Sequence, residues 1–355
     1  MAYFDKYGVE YSDDKKILVK CPKDFLGDFI VPEQVTKVKS FAFAWCNNLR
    51  TVTFHSNVEF LEKGAFADCI SLVSVNIPDR ISSIEDCIFA GCLSLKTVSL
   101  GKNINSIGWK AFHNCVNLES LIIPDKVKAI GNEAFTNCKK LISIDIPNSV
   151  ISIGESAFEG CLFMNKITMG DSITDIGRYA FHNCSSLTNI HISRGVSIIN
   201  EWTFAGCSSL TSISIPNRII KIGEGAFAGC DKITSLEIPN GVKEIGDGAF
   251  QKCRGLISIS IPNSVTNISD GAFYCCYSLI SFTIPEEITE IKGEVFNYCK
   301  NLVTLAIPER VRFIDKDAFL GCEKLREIIV PKGEKMRFST MESLSALANI
   351  IIERN

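Results

Sequence analysis

Sixteen cysteines and four histidines are the residues of this chain best suited to metal binding, redox chemistry or nucleophilic catalysis. A zinc centre needs ligands converging tetrahedrally, and a disulfide needs facing Cβ atoms. Thirteen of the cysteines, Cys46, Cys69, Cys92, Cys115, Cys138, Cys161, Cys184, Cys207, Cys230, Cys253, Cys276, Cys299 and Cys322, follow one another at intervals of 23 residues. Equal intervals set one thiol on each turn of a stack, a column rather than a cluster, and stacked in-register side chains run parallel. The column is expected as buried free thiols, small apolar side chains that suit a reducing compartment and that burial protects elsewhere. Cys21, Cys87 and Cys275 lie outside the column and are the better candidates for reactivity. His113 and His182 occupy one slot three turns apart, about 14 Å along a stack of strands. His55 falls in a turn slot and His191 on a strand. No nucleophile elbow, P-loop, H-E-x-x-H or dinucleotide G-x-G-x-x-G stands in a suitable context. No catalytic, cofactor-binding or metal-ligating residue is assigned, and a non-enzyme is expected.

The elements that position these residues come from the same interval. A phenylalanine stands three residues before every cysteine of the column, from Phe43 through Phe181 to Phe319. Ten of the eleven prolines share the phase, including Pro32, Pro78, Pro239 and Pro308. The pattern is P-x-x-V-x-x-I-G-x-x-A-F-x-x-C-x-x-L-x-x-I-x-I, as in Pro239 to Ile261. Ile259 and Ile261 alternate with Ser258 and Ser260, the period of a strand buried on one face. Proline ends that strand because it cannot donate the next ladder bond. Val242 and Ile245 point inward from a second extended segment, Gly246 is expected to make a tight turn, and Ala249-Phe250 a short helical or 3-10 turn. These readings give a mostly β repeat protein, a right-handed parallel β-solenoid of the leucine-rich-repeat kind with 13 coils of 23 residues. At about 4.8 Å per coil it is expected as a rod about 60 Å long. The chain divides into an N-terminal β-hairpin cap, 1–31, the solenoid, 32–330, and a C-terminal cap, 331–355. In the last, Ser339 or Thr340 is expected to cap a short helix carrying Leu344 and Leu347, and Asn349 to Glu353 a final strand.

Composition excludes several function classes. Apolar residues make up 46% of the chain and the net charge is −3, with no Lys/Arg block to track phosphates, so no nucleic-acid partner is expected. No apolar run approaches the ~18 residues of a membrane helix, so no membrane insertion is expected. The N-terminal Met1-Ala2-Tyr3-Phe4-Asp5-Lys6-Tyr7 has no basic segment followed by an apolar one, so no signal peptide is read, which alone favours a cytoplasmic chain. The slot after proline is rich in Asp, Asn and Glu, but the Gly-Gly-x-Gly-x-Asp signature of calcium solenoids is absent, and turn formation is the expected role.

The Ile-Pro-x-x-Val-x-x-Ile-Gly-x-x-Ala-Phe-x-x-Cys-x-x-Leu blocks, for example Ile123-Pro124 through Cys138 to Leu141, closely resemble the BspA-like, or TpLRR-class, leucine-rich repeat. The resemblance covers 299 of the 355 residues. The segment Tyr11 to Pro22 is similar to that family's N-terminal hairpin. The resemblance implies a cell-surface or secreted protein with adhesion or protein-binding roles, its partner a host or extracellular-matrix protein, with a glycan as the other choice.

In such a fold the outward strand residues line the concave face. One column, from Thr51 to Glu327, is Ser or Thr in ten of thirteen coils. Its distinctive members, with those of the neighbouring column, are Asp145, Lys166, Asn189, His191 and Glu237, extended along one edge by Tyr179 and Arg194. They coincide with the least regular coils, where the proline slot becomes Gly170 and Ser193, the leucine slot Met164, and the Ala of Ala-Phe becomes Thr203 beside Trp202. A monomeric, non-enzymatic binding or adhesion module is the expected function. The alternatives are an intracellular scaffold and an enzyme with a convergent site at the irregular coils.

Overall fold

In the computed structural model, residues 2–339 and 341–354 are described. The chain forms two compact units, Met1–Leu187 and Thr188–Asn355. Each is a stack of parallel β-coils. In the first unit the strands Leu26–Ile30, Asn48–Thr53, Ser74–Asn76, Thr97–Ser99 and Ser120–Leu121 form one sheet, and Ser143–Ile146 pairs with Lys166–Met169. A second ladder on the same coils sets Ile107, Ile130, Ile153 and Ile176 side by side, one interval of 23 residues apart. The second unit repeats the scheme, with Ser235–Glu237 on Ser258–Ser260 and Ile222, Ile245 and Ile268 in register.

The period-2 pattern explains the strands. Ile144 and Ile167 are buried while their neighbours Ser143, Asp145, Lys166 and Thr168 are exposed. Inside each coil the phenylalanines stack on one another. In the first unit Phe112, Phe135 and Phe158 lie 5.2 Å apart between ring centroids and within 6° of parallel. In the second unit Phe227, Phe250 and Phe273 are 5.3 and 5.5 Å apart. Such offset stacks add about 0.5–1.5 kcal/mol per pair to the burial of the rings themselves.

Of the two conformations expected for the Ala-Phe segment, the chain adopts the 3-10 type: a run of i to i+3 hydrogen-bonded turns, such as Thr136 N to Glu133 O at 3.2 Å and Cys138 N to Phe135 O at 3.0 Å. Left-handed residues two before and two after the phenylalanine, here Glu133 (φ 54°) and Asn137 (φ 60°), stop it from propagating. Their turned backbone aims alternate amides at the next coil, with Phe135 N donating to Ala157 O at 2.7 Å and Asn137 N to Glu159 O at 2.7 Å. Gly246 does not have positive φ. A Cβ there would lie 2.7 Å from the backbone nitrogen of Glu224, so glycine permits close approach of successive coils rather than a left-handed turn.

At the N-terminus Tyr3–Phe4, Glu10–Tyr11 and Ile17–Lys20 form an antiparallel set, and Ile17–Lys20 then pairs in parallel with Lys37–Val38. Leu26–Ile30 also joins the parallel sheet, through Asn48–Thr53, so the coil ladder begins ahead of the first proline slot. At the C-terminus Ile351–Glu353 pairs with Glu327–Val330. An α-helix, Lys335–Ser339, precedes a 3-10 helix, Glu342–Ile350, that buries Leu344. Ser339 ends the first of these and does not cap the second, whose N-cap position is Met341 without a side-chain bond. Thr340 lies outside the described residues. The helix Lys335–Ser339 is capped from a distance, because the carboxylate of Glu353 accepts the amides of Gly333 and Lys335 at 3.0 and 3.1 Å.

Candidate functional site

Most outward strand slots are exposed in both units, and each unit carries part of the residue set singled out by the sequence. In the first unit Ser143–Ile146 and Lys166–Met169 place Lys166 opposite Ser143 and Asp145 opposite Thr168. The Thr168 hydroxyl donates to Asp145 Oδ1 at 2.6 Å, so the carboxylate is oriented along the ladder by its cross-strand neighbour. Lys166 is exposed on the same face. Tyr179 does not share that face. It occupies a left-handed turn position (φ 56°) two residues before Phe181, half-buried, its ring edge-on to His182 at 5.5 Å. In the second unit Asn189 and His191 are exposed on one strand, opposite Ser212 and Ser214. Arg194 is exposed in the turn that follows. Glu237 is exposed two coils on, opposite Ser260.

The irregular slots have packing explanations. Met164 is fully buried and fills the leucine slot. A Cβ at Gly170 would meet the Asn148 backbone at 2.6 Å, so the loss of proline there accompanies a tight approach. Ser193 is buried, and its hydroxyl accepts the amide of Gly195 at 3.3 Å, closing the turn that proline closes elsewhere. Thr203 donates to the Asn200 carbonyl at 2.8 Å. Trp202 is half-buried and lies over the next coil, 2.6 Å from where a Cβ of Gly225 would stand, so its ring covers backbone that only glycine leaves bare. Substitution in these slots follows local fit.

Three of the acidic and amide side chains after proline are likewise occupied. Asp79 accepts the amide of Lys102 at 3.0 Å, Asn148 that of Asp171 at 3.1 Å and Asn263 that of Glu286 at 3.2 Å. Each ties one coil to the next. The histidines form local pairs: His182 Nδ1 is 3.1 Å from Glu159, and His55 Nε2 donates to the Pro32 carbonyl at 2.7 Å. His113 Nδ1 is buried 3.5 Å from Glu133 without the alignment of a hydrogen bond, and burial holds that ring's pKa down. Among the described residues no three His, Cys, Asp or Glu side chains converge as metal ligands, and no helix is long and apolar enough to cross a membrane.

One feature of the strand face was not anticipated. In the first unit Ile122, 85% exposed, helps form a groove of about 660 Å³ with Thr97, Ser99, Leu121, Lys102 and Lys126. The signal was visible as an isoleucine in a column that is otherwise polar through the first unit, but only the register of the strands sets it beside the hydroxyls and lysines.

The family model for the BspA type leucine rich repeat region, in six copies, matches residues 22–142, 129–243 and 220–345. No curated protein matches the chain. A solved leucine-rich repeat protein from Bacteroides ovatus is 25% identical, with a TM-score of 0.74 over 100% of this chain and 98% of that one. A leucine rich cell surface protein from Faecalibacterium prausnitzii is 24% identical, with a TM-score of 0.57 over 97% of this chain and 98% of that one. The pneumococcal vaccine antigen PcpA shares the fold at 17% identity and a TM-score of 0.57, over 100% of this chain and 99% of that one. With coils, phenylalanine stack and thiol column all in the matched interval, the chain belongs to the BspA type leucine-rich repeat family.

Proposed function

We propose that the protein is a non-enzymatic binding and adhesion module that takes a protein partner on its outward strand face. One observation carries the reading: along most strands the inward residue is buried and its outward neighbours exposed, so a polar surface is held on a backbone that cannot collapse around it. Leucine-rich repeats use such extended surfaces for binding. In the first unit Asp145, Lys166 and the Ile122 groove supply charge, hydroxyls and an apolar anchor point. In the second unit Asn189, His191, Arg194 and Glu237 supply the charged and amide groups. A host or extracellular-matrix protein is the partner we favour, with the cell surface as its setting.

The test is affinity capture with mass spectrometry from host-surface and cytosolic extracts, using the wild type beside Lys166→Glu and His191→Glu single variants. Loss of a captured surface protein in either folded variant supports the reading and assigns the strand face of that unit. Equal capture by all three removes the strand face from the function. Capture of cytosolic proteins alone favours an intracellular scaffold.

A further inference from the structure

The first rung of the thiol column is built differently from the others. From Cys69 to Cys184, and again from Cys230 to Cys322, the thiol donates to a phenylalanine carbonyl 26 residues earlier, as Cys69 does to Phe43 at 3.0 Å and Cys92 to Phe66 at 3.1 Å. The residue 26 before Cys46 is Lys20, not a phenylalanine. The Cys46 sulfur lies instead 3.4 Å from the carbonyl of Pro22 and 3.9 Å from that of Cys21. Cys21 is pinned there, since its amide donates to Ala42 O at 2.7 Å. The Cys46 sulfur thus sits against the main chain of Cys21 itself, and both cysteines are fully buried. Cys21 and Cys46 are 25 residues apart, off the 23-residue step, so they escape the parallel Cβ arrangement that bars bonding between in-register cysteines.

We propose that Cys21 and Cys46 are a redox pair that closes to a disulfide in an oxidising environment and locks residues 1–31 onto the first coil. The oxidant is a low-molecular-weight disulfide, RSSR. The Cys46 thiolate attacks one of its sulfurs and expels RS−. The Cys21 thiolate then displaces the second RS− from the mixed disulfide. Two S–H bonds are lost, one S–S bond forms, and RSSR leaves as two RSH that carry the two protons. Cys46 is the attacking group because the neighbouring Cys21 thiol, with Lys20 and Lys23 nearby, draws its thiol below the ordinary range. The neighbouring Cys46 and burial push the Cys21 thiol up. Burial of both sulfurs means that the reagent enters when residues 1–31 loosen, so the reduced cap opens and the oxidised one does not. The remaining column thiols, in register and parallel, stay reduced.

The experiment treats the native full-length chain with oxidised glutathione, quenches with acid and alkylating agent, and maps the linked peptides by mass spectrometry. The expected result is a Cys21–Cys46 linked peptide as the first disulfide formed. It is accompanied by a rise of several degrees in the unfolding midpoint, reversed by dithiothreitol and absent in Cys21→Ser and Cys21→Ala. The mapping needs no variant, so a poorly folded substitution does not decide it. The proposal is overturned if the native chain yields no linked peptide while the denatured chain oxidises freely, if another pair links first, or if the linkage leaves the midpoint unchanged.

Discussion

The thiol of Cys138 donates to the main-chain carbonyl of Phe112 at 3.2 Å, and the same oxygen accepts the amide of Cys115 at 3.0 Å. Cysteine in this column therefore has a role that a merely small apolar side chain would not fill. It satisfies the second lone pair of a buried carbonyl on the preceding coil.

Removing that donor should be costly. Cys138→Ala is expected to destabilise by about 1–2 kcal/mol, from the lost bond and the space left behind. Cys138→Val, which fills space without donating, should not recover the loss. Urea unfolding midpoints check this, and a valine variant as stable as the wild type would show that the thiol bond contributes nothing.

Gly246→Ala should also destabilise, by about 1–3 kcal/mol, because the new methyl meets the Glu224 backbone at 2.7 Å. The sign is diagnostic. An unstrained glycine replaced by alanine gains about 0.4–1 kcal/mol through the unfolded chain, so a higher melting midpoint would refute the close approach.

Alkaline pH should unfold the protein. Burial pushes the Cys161 and Cys253 thiols up to about 12, against an ordinary value of 9.0. With the folded value raised, the stability from each neutral buried thiol is intact below pH about 9 and is lost as pH rises toward about 12. Ultraviolet absorbance of thiolate at 240 nm, followed with circular dichroism, should show thiolate appearing together with loss of structure. Thiolate formed in the folded protein below pH 10 would contradict the deep burial of the column.

Glu62 should matter at acid pH. The Lys37 ammonium, 2.5 Å away, and the Ser40 amide and hydroxyl hold its carboxyl at about 2, below the ordinary 4.5. A depressed folded value contributes stability above pH about 4.5 that is lost as pH falls toward about 2. For a partly exposed pair this is no more than about 1–2 kcal/mol. Glu62→Gln should therefore be less stable than the wild type at pH 7 and match it near pH 2 in chemical denaturation. A difference unchanged with pH would assign the loss to packing.

Glu353→Gln weakens the acceptor that holds the amides of Gly333 and Lys335 and removes a charge from a helix N-terminus. The expected cost is about 0.5–1 kcal/mol, confined to the C-terminal cap. Faster amide exchange across Lys335–Ser339, with the coil strands unchanged, is the expected signature. Uniform acceleration through the second unit would mean that the cap opens only with the coils.

The sequence by itself determined the repeat, the strands and the buried column. A side chain that recurs at a fixed interval with period-2 neighbours can be buried only by stacking on its own copies, so the stack of Phe112, Phe135 and Phe158 was legible in the interval alone. Only the folded chain sets the contacts between residues 18 to 26 apart. These include the thiol of Cys138 on Phe112, the amide of Asp171 on Asn148, the carboxylate of Glu353 on the helix at Lys335, and Cys46 set against Cys21. The period places such residues in neighbouring coils but carries no information on the side-chain direction or lone pair each one meets. For the same reason the left-handed turns around each phenylalanine and the closeness of Gly246 to Glu224 were not legible. On the strand face, alternation alone placed Asp145, Lys166, Asn189, His191 and Glu237 outward, whereas the turn placed Tyr179 against His182. Direction there depends on backbone torsions that the repeat pattern does not encode.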